Sequence, residues 1–494
     1  MKISKLGKII TGALLITLII IFGNRPVVSY TEKPTVNQRI NPGQIAQVGS
    51  ASYYQQLAKA DDFYKGGNLQ MAEQIQREVK PDFPPSEPPA SPIFDEENLK
   101  EQEPGAAVYW RIANEGIGDD LESKILEPLT LLTEDYPRFI PGHLVLAEQL
   151  VKYERTPEAI EVLAKASTLY PEITELLDGK IALLRTEERY LEAAIAARQF
   201  ALSYPDNPQA GQYENLAKQN QQDHNNYIQQ QIVSGALADM LLEEMFGGNG
   251  SSNTLLTMLM QGEAQTGEQM AQQYKSQLTL VENEQLVNYV TQVGMKLAQL
   301  MGRDEFNYEF FIVDDPNLNA FALPGGKIFI NTGMLKVMGS EAELAGILSH
   351  EISHSVLSHS FEKMATAASL EGFGQVLPLG SIFSDFITAE HSREKERQSD
   401  IVGTHALATA GYAADGLYNV MGILKQAHGD AGTPWTASHP APTERVEYLA
   451  ELIQRHGYNR YAYEGVNPYQ TALGNTPKKE QSNSEPPTQN QPIF

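Results

Sequence analysis

The stretch Ser340-Glu341-Ala342-Glu343-Leu344-Ala345-Gly346-Ile347-Leu348-Ser349-His350-Glu351-Ile352-Ser353-His354 decides how this chain is read. Ser340 followed three residues later by Glu343 forms a capping box, which predicts a helix beginning at Glu341. Leu344, Ile347, Leu348, Ile352 and Val356 recur at helical spacing and give that helix an apolar face. His350 and His354 stand four apart, so both imidazoles emerge on one side and can reach one ion. Glu351 emerges beside them, placed to hold and deprotonate a metal-bound water.

A catalytic zinc centre needs a third protein ligand and one open position. Leu357 and Ser360 stand where the extended pattern would have a glycine and a third histidine, so that class is excluded. His359 falls on the opposite side of the helix from His350 and reads as structural or exposed. A downstream carboxylate is the natural alternative. Ser392-Arg393-Glu394-Lys395-Glu396-Arg397-Gln398-Ser399-Asp400 leads into a largely apolar run from Ile401 to Tyr412. Glu396 and Asp400 lie four apart on the expected helix. One can bind metal while the other accepts a hydrogen bond from a ligating imidazole.

Upstream, Asn319-Ala320-Phe321-Ala322-Leu323-Pro324-Gly325-Gly326 precedes Lys327-Ile328-Phe329-Ile330-Asn331. The glycine pair allows a tight turn into a strand from Lys327 to Asn331, read as an edge that can pair with an extended substrate backbone. Asn319, Gly325, Gly326, Lys327, Ile328 and Phe329 are the substrate-binding candidates.

These blocks, with His439-Pro440 and Arg445 following in order, resemble the zinc metallopeptidase family that contains the CAAX prenyl proteases, the HtpX-like proteases and the periplasmic β-barrel assembly-enhancing protease. The resemblance covers about 280–455 and implies one zinc ion per chain on His350, His354 and Glu396. It further implies Glu351 as general base, Asp400 behind the ligands with Arg393 of the same block, and His439 near the metal in a catalytic or latent role. Ser399 and His391 depart from the family's usual alanine and aromatic at those places. In the β-barrel protease the helical repeats follow the peptidase domain, whereas here they precede it, so a shared partner or task does not follow.

Ahead of this block the chain repeats itself. Tyr136-Pro137, Tyr170-Pro171 and Tyr204-Pro205 recur at equal intervals, and Ala159 and Ala193 each occupy the same place ahead of the closing proline. That interval, about 34 residues, with a small residue where two helices cross, resembles the tetratricopeptide repeat. Ile125 stands at the equivalent place one repeat earlier, and the unit at 63–81 is short. Asp82 to Pro104, rich in proline and acidic residues, reads as a loop.

Lys2, Lys5 and Lys8 precede a short apolar run from Ile9 to Gly23, the pattern of a secretory signal with cleavage after Ser29, or of an uncleaved membrane tether. Either places the remainder outside the cytoplasm, in a periplasm or on the outer face of a membrane. With 37 basic and 62 acidic residues the net charge is −25, which disfavours nucleic acid and anionic lipid as partners. The chain has no cysteine, excluding disulfides, thiolate zinc sites and cysteine nucleophiles.

The expected fold is mainly α, a tetratricopeptide-like helical array followed by an α+β gluzincin-type metallopeptidase domain with a small sheet. The expected segments are a signal peptide or anchor at 1–29, a linker at 30–50 and repeats at 51–215. A helical connector with a flexible break follows at 216–263, then the peptidase domain at 264–460 and a disordered tail at 461–494. The expected function is zinc-dependent endopeptidase action on protein or peptide substrates in extracytoplasmic quality control, with protein partners held by the repeats. The alternative is a repeat-based chaperone or scaffold with a latent metal site.

Overall fold

The computed structural model describes residues 49–83, 91–233, 261–370, 392–428, 435, 439 and 442–474. The segment 1–29, nearly all of the linker 30–50, the break at 247–253 and residues 475–494 lie outside them. No helix among the described residues is long and apolar enough to cross a membrane.

The chain divides into two compact units, one of residues 1–44 and 87–256, the other of residues 45–86 and 257–494. The second unit therefore begins with α1 (Ala51–Lys65) and α2 (Leu69–Val79), which were expected to open the repeat array. Their polar contacts explain the difference. Asp61 accepts hydrogen bonds from the backbone N–H groups of Glu464 and Val466, both at 2.9 Å. The Lys80 ammonium is buried against Asp415 at 2.8 Å and Glu464 at 2.5 Å. These partners stand so far apart along the chain that no local pattern could signal the pairings.

The first unit holds α3 (Glu96–Gln102), α4 (Pro104–Asp119), α5 (Glu122–Asp135), α6 (Ile140–Lys152), α7 (Thr156–Leu169), α8 (Thr174–Thr186), α9 (Tyr190–Ser203) and α10 (Ala210–Val233). From α4 to α9 these are three successive helical hairpins. Each hairpin turn passes through one left-handed residue, Asp120, Glu154 and Glu188, at the same interval as the tyrosine–proline pairs. Tyr136, Tyr170 and Tyr204 close the second helix of each hairpin. Ala159 and Ala193 are fully buried, as close helix crossing requires, and Ile125 fills the equivalent place. The expected loop at 82–104 contains α3 because its acidic residues act as a helix start: Asp95 accepts from Asn98 N–H at 2.9 Å, and Leu99 is buried. The Gln/Asn-rich stretch after 212 is likewise helical, with Tyr213 and Ala217 buried, so a boundary at 215 falls inside α10.

In the second unit α11 (Glu263–Gln277) and α12 (Glu284–Met301) lead to β1 (Glu309–Val313), β2 (Ala320–Leu323) and β3 (Lys327–Asn331). There follow α13 (Thr332–Val337), α14 (Glu341–Val356), α15 (His359–Leu370), α16 (Arg393–Thr409), α17 (Gly416–His428), α18 (Pro442–Arg455) and α19 (Val466–Ala472). The strand order is β1-β3-β2, with β3 parallel to β1 and antiparallel to β2. The expected tail at 461–494 is structured at its start. Tyr469 of α19 is buried and its hydroxyl donates to Leu335 C=O at 2.6 Å. Tyr463, Val466 and Tyr469 supply apolar area there, and the polar composition sets in only after residue 474.

Helix α14 begins where the capping box placed it, with Ser340 Oγ accepting from Glu343 N–H at 3.2 Å. Every residue from Ala342 to Val356 is buried, so this helix is the centre of the unit rather than a one-sided surface helix. The Glu343 carboxyl takes hydrogen bonds from Tyr54 O–H at 2.9 Å and Gly339 N–H at 2.7 Å. Burial pushes its pKa from 4.5 up to about 8. The raised value means that the native state retains a proton which the unfolded chain loses. The contribution of Glu343 to stability is thus full below about pH 4.5 and is lost as pH rises through about 8. Between pH 5 and 8 the second unit should lose up to about 1.4 kcal/mol per pH unit through this group. Urea titrations across that range should show Glu343→Gln flattening the slope.

Candidate active site

Two helices build the site. His350, Glu351 and His354 come from α14, and Glu396 and Asp400 from α16. Gly403, one turn beyond Asp400, lets the helices meet closely, since a Cβ there would stand 3.1 Å from the His350 backbone nitrogen. That approach carries Glu396 to the two imidazoles. His354 Nε2 lies 3.1 Å from His350 Nε2 and 3.3 Å from Glu396 Oε1, and His350 Nε2 lies 3.5 Å from Glu396 Oε2. His439 joins them, its Nδ1 2.8 Å from Glu396 Oε1 and 3.5 Å from His350 Nε2. All four residues are buried, with their ligand atoms within 4.8 Å of one another.

This donor set fits zinc. Nitrogen and oxygen ligands held tetrahedrally about 2.0–2.1 Å from zinc stand roughly 3.3 Å apart, and the separations here scatter around that value. Glu351 Oε1 is buried and makes no hydrogen bond, as expected of a carboxylate oxygen reserved for a reacting molecule. Glu351 Oε1 lies 3.8 Å from His439 Nε2, just beside the ligand set.

The electrostatics separate the groups. Burial alone would push His350 down, but the Asp400 carboxylate at 2.8 Å from its Nδ1 raises it to about 9. Burial lowers His354 to about 3. Burial would raise Glu396, yet the surrounding imidazoles, His439 foremost, hold its carboxyl well below the usual range. Burial raises Glu351.

Asp400 lies behind His350, its Oδ1 2.8 Å from the ring Nδ1. Arg445 of α18 grips it with two hydrogen bonds of 2.9 and 2.6 Å and reaches Glu396 Oε2 at 3.3 Å. The resemblance marked Arg445 as the end of the His439-Pro440 block without disclosing this double contact. Arg393 is not part of the site. Its side chain is 79% exposed and pairs with Glu444 at 3.2 Å, because the first turn of α16 projects into solvent. Arg393→Ala should therefore leave zinc affinity and turnover within about twofold, as chelator competition and substrate cleavage would show.

His359 also differs from expectation. Helix α14 ends at Val356, Ser358 turns through φ +57°, and His359 opens α15, buried 3.0 Å from His354 Nδ1. A reading that continued one helix through residue 359 put it on the wrong side. Trp435, which the sequence did not single out, stacks on His439 with ring centroids 3.9 Å apart and donates its backbone N–H to Leu318 C=O.

The substrate-binding candidates are divided. Gly325 and Gly326 make the expected turn, both with positive φ. Lys327, Ile328 and Phe329, however, lie on β3, the central strand and not an edge. Lys327 Nζ is held by Glu309 at 2.5 Å and Glu268 at 2.9 Å. The outer strands are β1 and β2, and β2 is the one antiparallel to β3. Asn331 N–H donates to Asn319 C=O, so by antiparallel alternation the peptide groups of Ala320 and Ala322 point away from β3. Ser360 Oγ takes Ala322 C=O at 3.0 Å, and Ser355 of α14 donates to Leu323 C=O at 3.1 Å.

A buried His-His-Glu donor set with a neighbouring carboxylate, on a helix backed by a small sheet, defines a metallopeptidase domain of the HExxH class. Residues 284–453 match the model of peptidase family M48, and the chain carries an M48 domain over that range. The mitochondrial metalloendopeptidase OMA1 of Schizosaccharomyces pombe is 29% identical over 179 residues, covering 33% of this chain and 52% of that protein. Human mitochondrial metalloendopeptidase OMA1 is 31% identical over 31% of this chain and 33% of its own length. The Escherichia coli β-barrel assembly-enhancing protease is 22% identical over 37% of this chain and 42% of its own. The chain spans about half or less of the length of the relatives it matches.

Proposed function

We propose that this chain is a zinc endopeptidase that hydrolyses protein substrates outside the cytoplasm, with Glu351 as general base. The observation that carries this is the convergence of His350, His354, Glu396 and His439 beside a buried Glu351 oxygen that makes no hydrogen bond. His350, His354 and Glu396 would hold the ion, whose chemistry when bound is Lewis acidity toward a carbonyl oxygen and toward water. Glu351 takes the proton of the attacking water and returns it to the leaving amine. Asp400 and Arg445 hold the His350 ring in its ligating orientation. An extended peptide would add to β2 through the outward peptide groups of Ala320, with the Gly325–Gly326 turn at its side.

The Lys2-Lys5-Lys8 and Ile9–Gly23 pattern supports export, with cleavage or retention of the N-terminal segment as two forms of it. The helical hairpins of 104–203, matching a tetratricopeptide-like period, support protein binding by that arm. Two bacterial relatives are named as β-barrel assembly-enhancing proteases, and together with the export pattern this supports a task in extracytoplasmic protein quality control. A latent site on a scaffold is the second reading, favoured by His439 standing in the fourth donor position.

The test is zinc analysis of the purified chain together with cleavage of unfolded casein. One equivalent of zinc is expected, with cleavage stopped by a chelator and restored by zinc. Zinc binding without cleavage supports the latent reading, and cleavage that persists in chelator overturns both.

A further inference from the structure

The environment of His354 can be worked out proton by proton, starting at the surface. Glu394 is exposed, and its carboxylate accepts from Gln398 Nε2 at 3.1 Å. A carboxylate only accepts, so the amide nitrogen of Gln398 must face outward and its oxygen inward. That oxygen lies 2.9 Å from His359 Nε2. An amide oxygen also only accepts, so His359 Nε2 carries a proton. In a neutral imidazole that carries its proton on Nε2, the other nitrogen is the acceptor, here His359 Nδ1.

His359 Nδ1 lies 3.0 Å from His354 Nδ1, and two nitrogens at that distance share one proton. With His359 accepting, the proton sits on His354 Nδ1. The lone pair of His354 is then on Nε2, the atom that faces His350 Nε2 and Glu396. Ser399 Oγ approaches the same His359 nitrogen at 3.4 Å, a longer contact than that to His354. His350 is held differently, by the Asp400 anion on its Nδ1. The two imidazoles thus present the same nitrogen through unlike partners, one charged and one neutral.

We propose that His359 and Gln398 are positioning residues that fix the tautomer and ring plane of His354, so that its Nε2 is preset for the metal. The proposal rests on the zinc endopeptidase reading, and its test separates the two. Wild-type protein, His359→Phe, His359→Asn and Gln398→Ala would be compared by zinc competition against a chromophoric chelator and by the visible spectrum of the cobalt-substituted protein.

His359→Phe should weaken zinc binding about 10- to 100-fold and alter the cobalt spectrum, while His359→Asn, which keeps an acceptor near the Nδ1 position, should recover most of the affinity. Gln398→Ala, which leaves the imidazole in place, should show the same change in smaller degree and covers the case in which His359→Phe does not fold. Wild-type affinity and spectrum in Gln398→Ala and in a folded His359→Phe would overturn the positioning role alone. Failure of the wild type to bind zinc would overturn the endopeptidase reading with it.

Discussion

Glu351→Gln should lower casein cleavage by about a thousandfold while zinc content stays at the wild-type level. A general base in such a position contributes on the order of 10²- to 10⁴-fold. Glutamine keeps the volume and one oxygen of the side chain but cannot accept the proton of the attacking water. Glu351 is 1% exposed and stands outside the group whose donor atoms converge, so its replacement leaves that group whole. Burial also raises its pKa, moving the carboxylate toward the range where proton transfer at neutral pH is most effective. Zinc analysis and initial rates on one preparation would decide the matter. Undiminished cleavage would remove Glu351 from the mechanism, and loss of zinc would make it a ligand instead.

Lys80→Ala should destabilise the peptidase-bearing unit by about 3–5 kcal/mol, the usual cost of removing one member of a buried ion pair. Lys80, Asp415 and Glu464 all have fully buried side chains. Burial alone would favour the neutral amine, but the two carboxylates hold Lys80 protonated. Without the ammonium, Asp415 keeps Arg460 at 3.1 Å while Glu464 loses its ion-pair partner. Urea-induced unfolding of the full chain, followed on the transition of this unit, would measure the change. A loss below about 1 kcal/mol would mean that water or local opening replaces the ammonium. The same result would mean that α1 and α2 are not anchored there.

Local pattern carried most of the α14 reading. Capping, apolar spacing and the i,i+4 histidines are short-range properties of a helix, and the capping box placed its start at Glu341, where it is observed. The repeat period was equally readable, because each hairpin turn and crossing repeats the same local geometry. Arg393 and Glu396, by contrast, lie three positions apart in one charged run, yet one is exposed and the other buried against three imidazoles. Both are charged residues of one run, and the packing of α16 on α14 decides which of them is buried. His359 was misplaced for a related reason: a single left-handed residue at Ser358 reversed the side it faces.

By itself, then, the sequence determined the metal-binding helix, the types of ligand available, the repeat period and the glycine turn before β3. These depend on residues within one or two helical turns of each other, where backbone geometry sets the outcome. Tertiary structure alone decided that β3 is central and β2 an edge, that α1 and α2 belong with the peptidase-bearing unit, and that Arg445 clamps Asp400. Those outcomes depend on buried charges and hydrogen bonds finding partners in distant parts of the chain. The need to satisfy such groups is written in the chain, but the identity of the partner is settled only by packing.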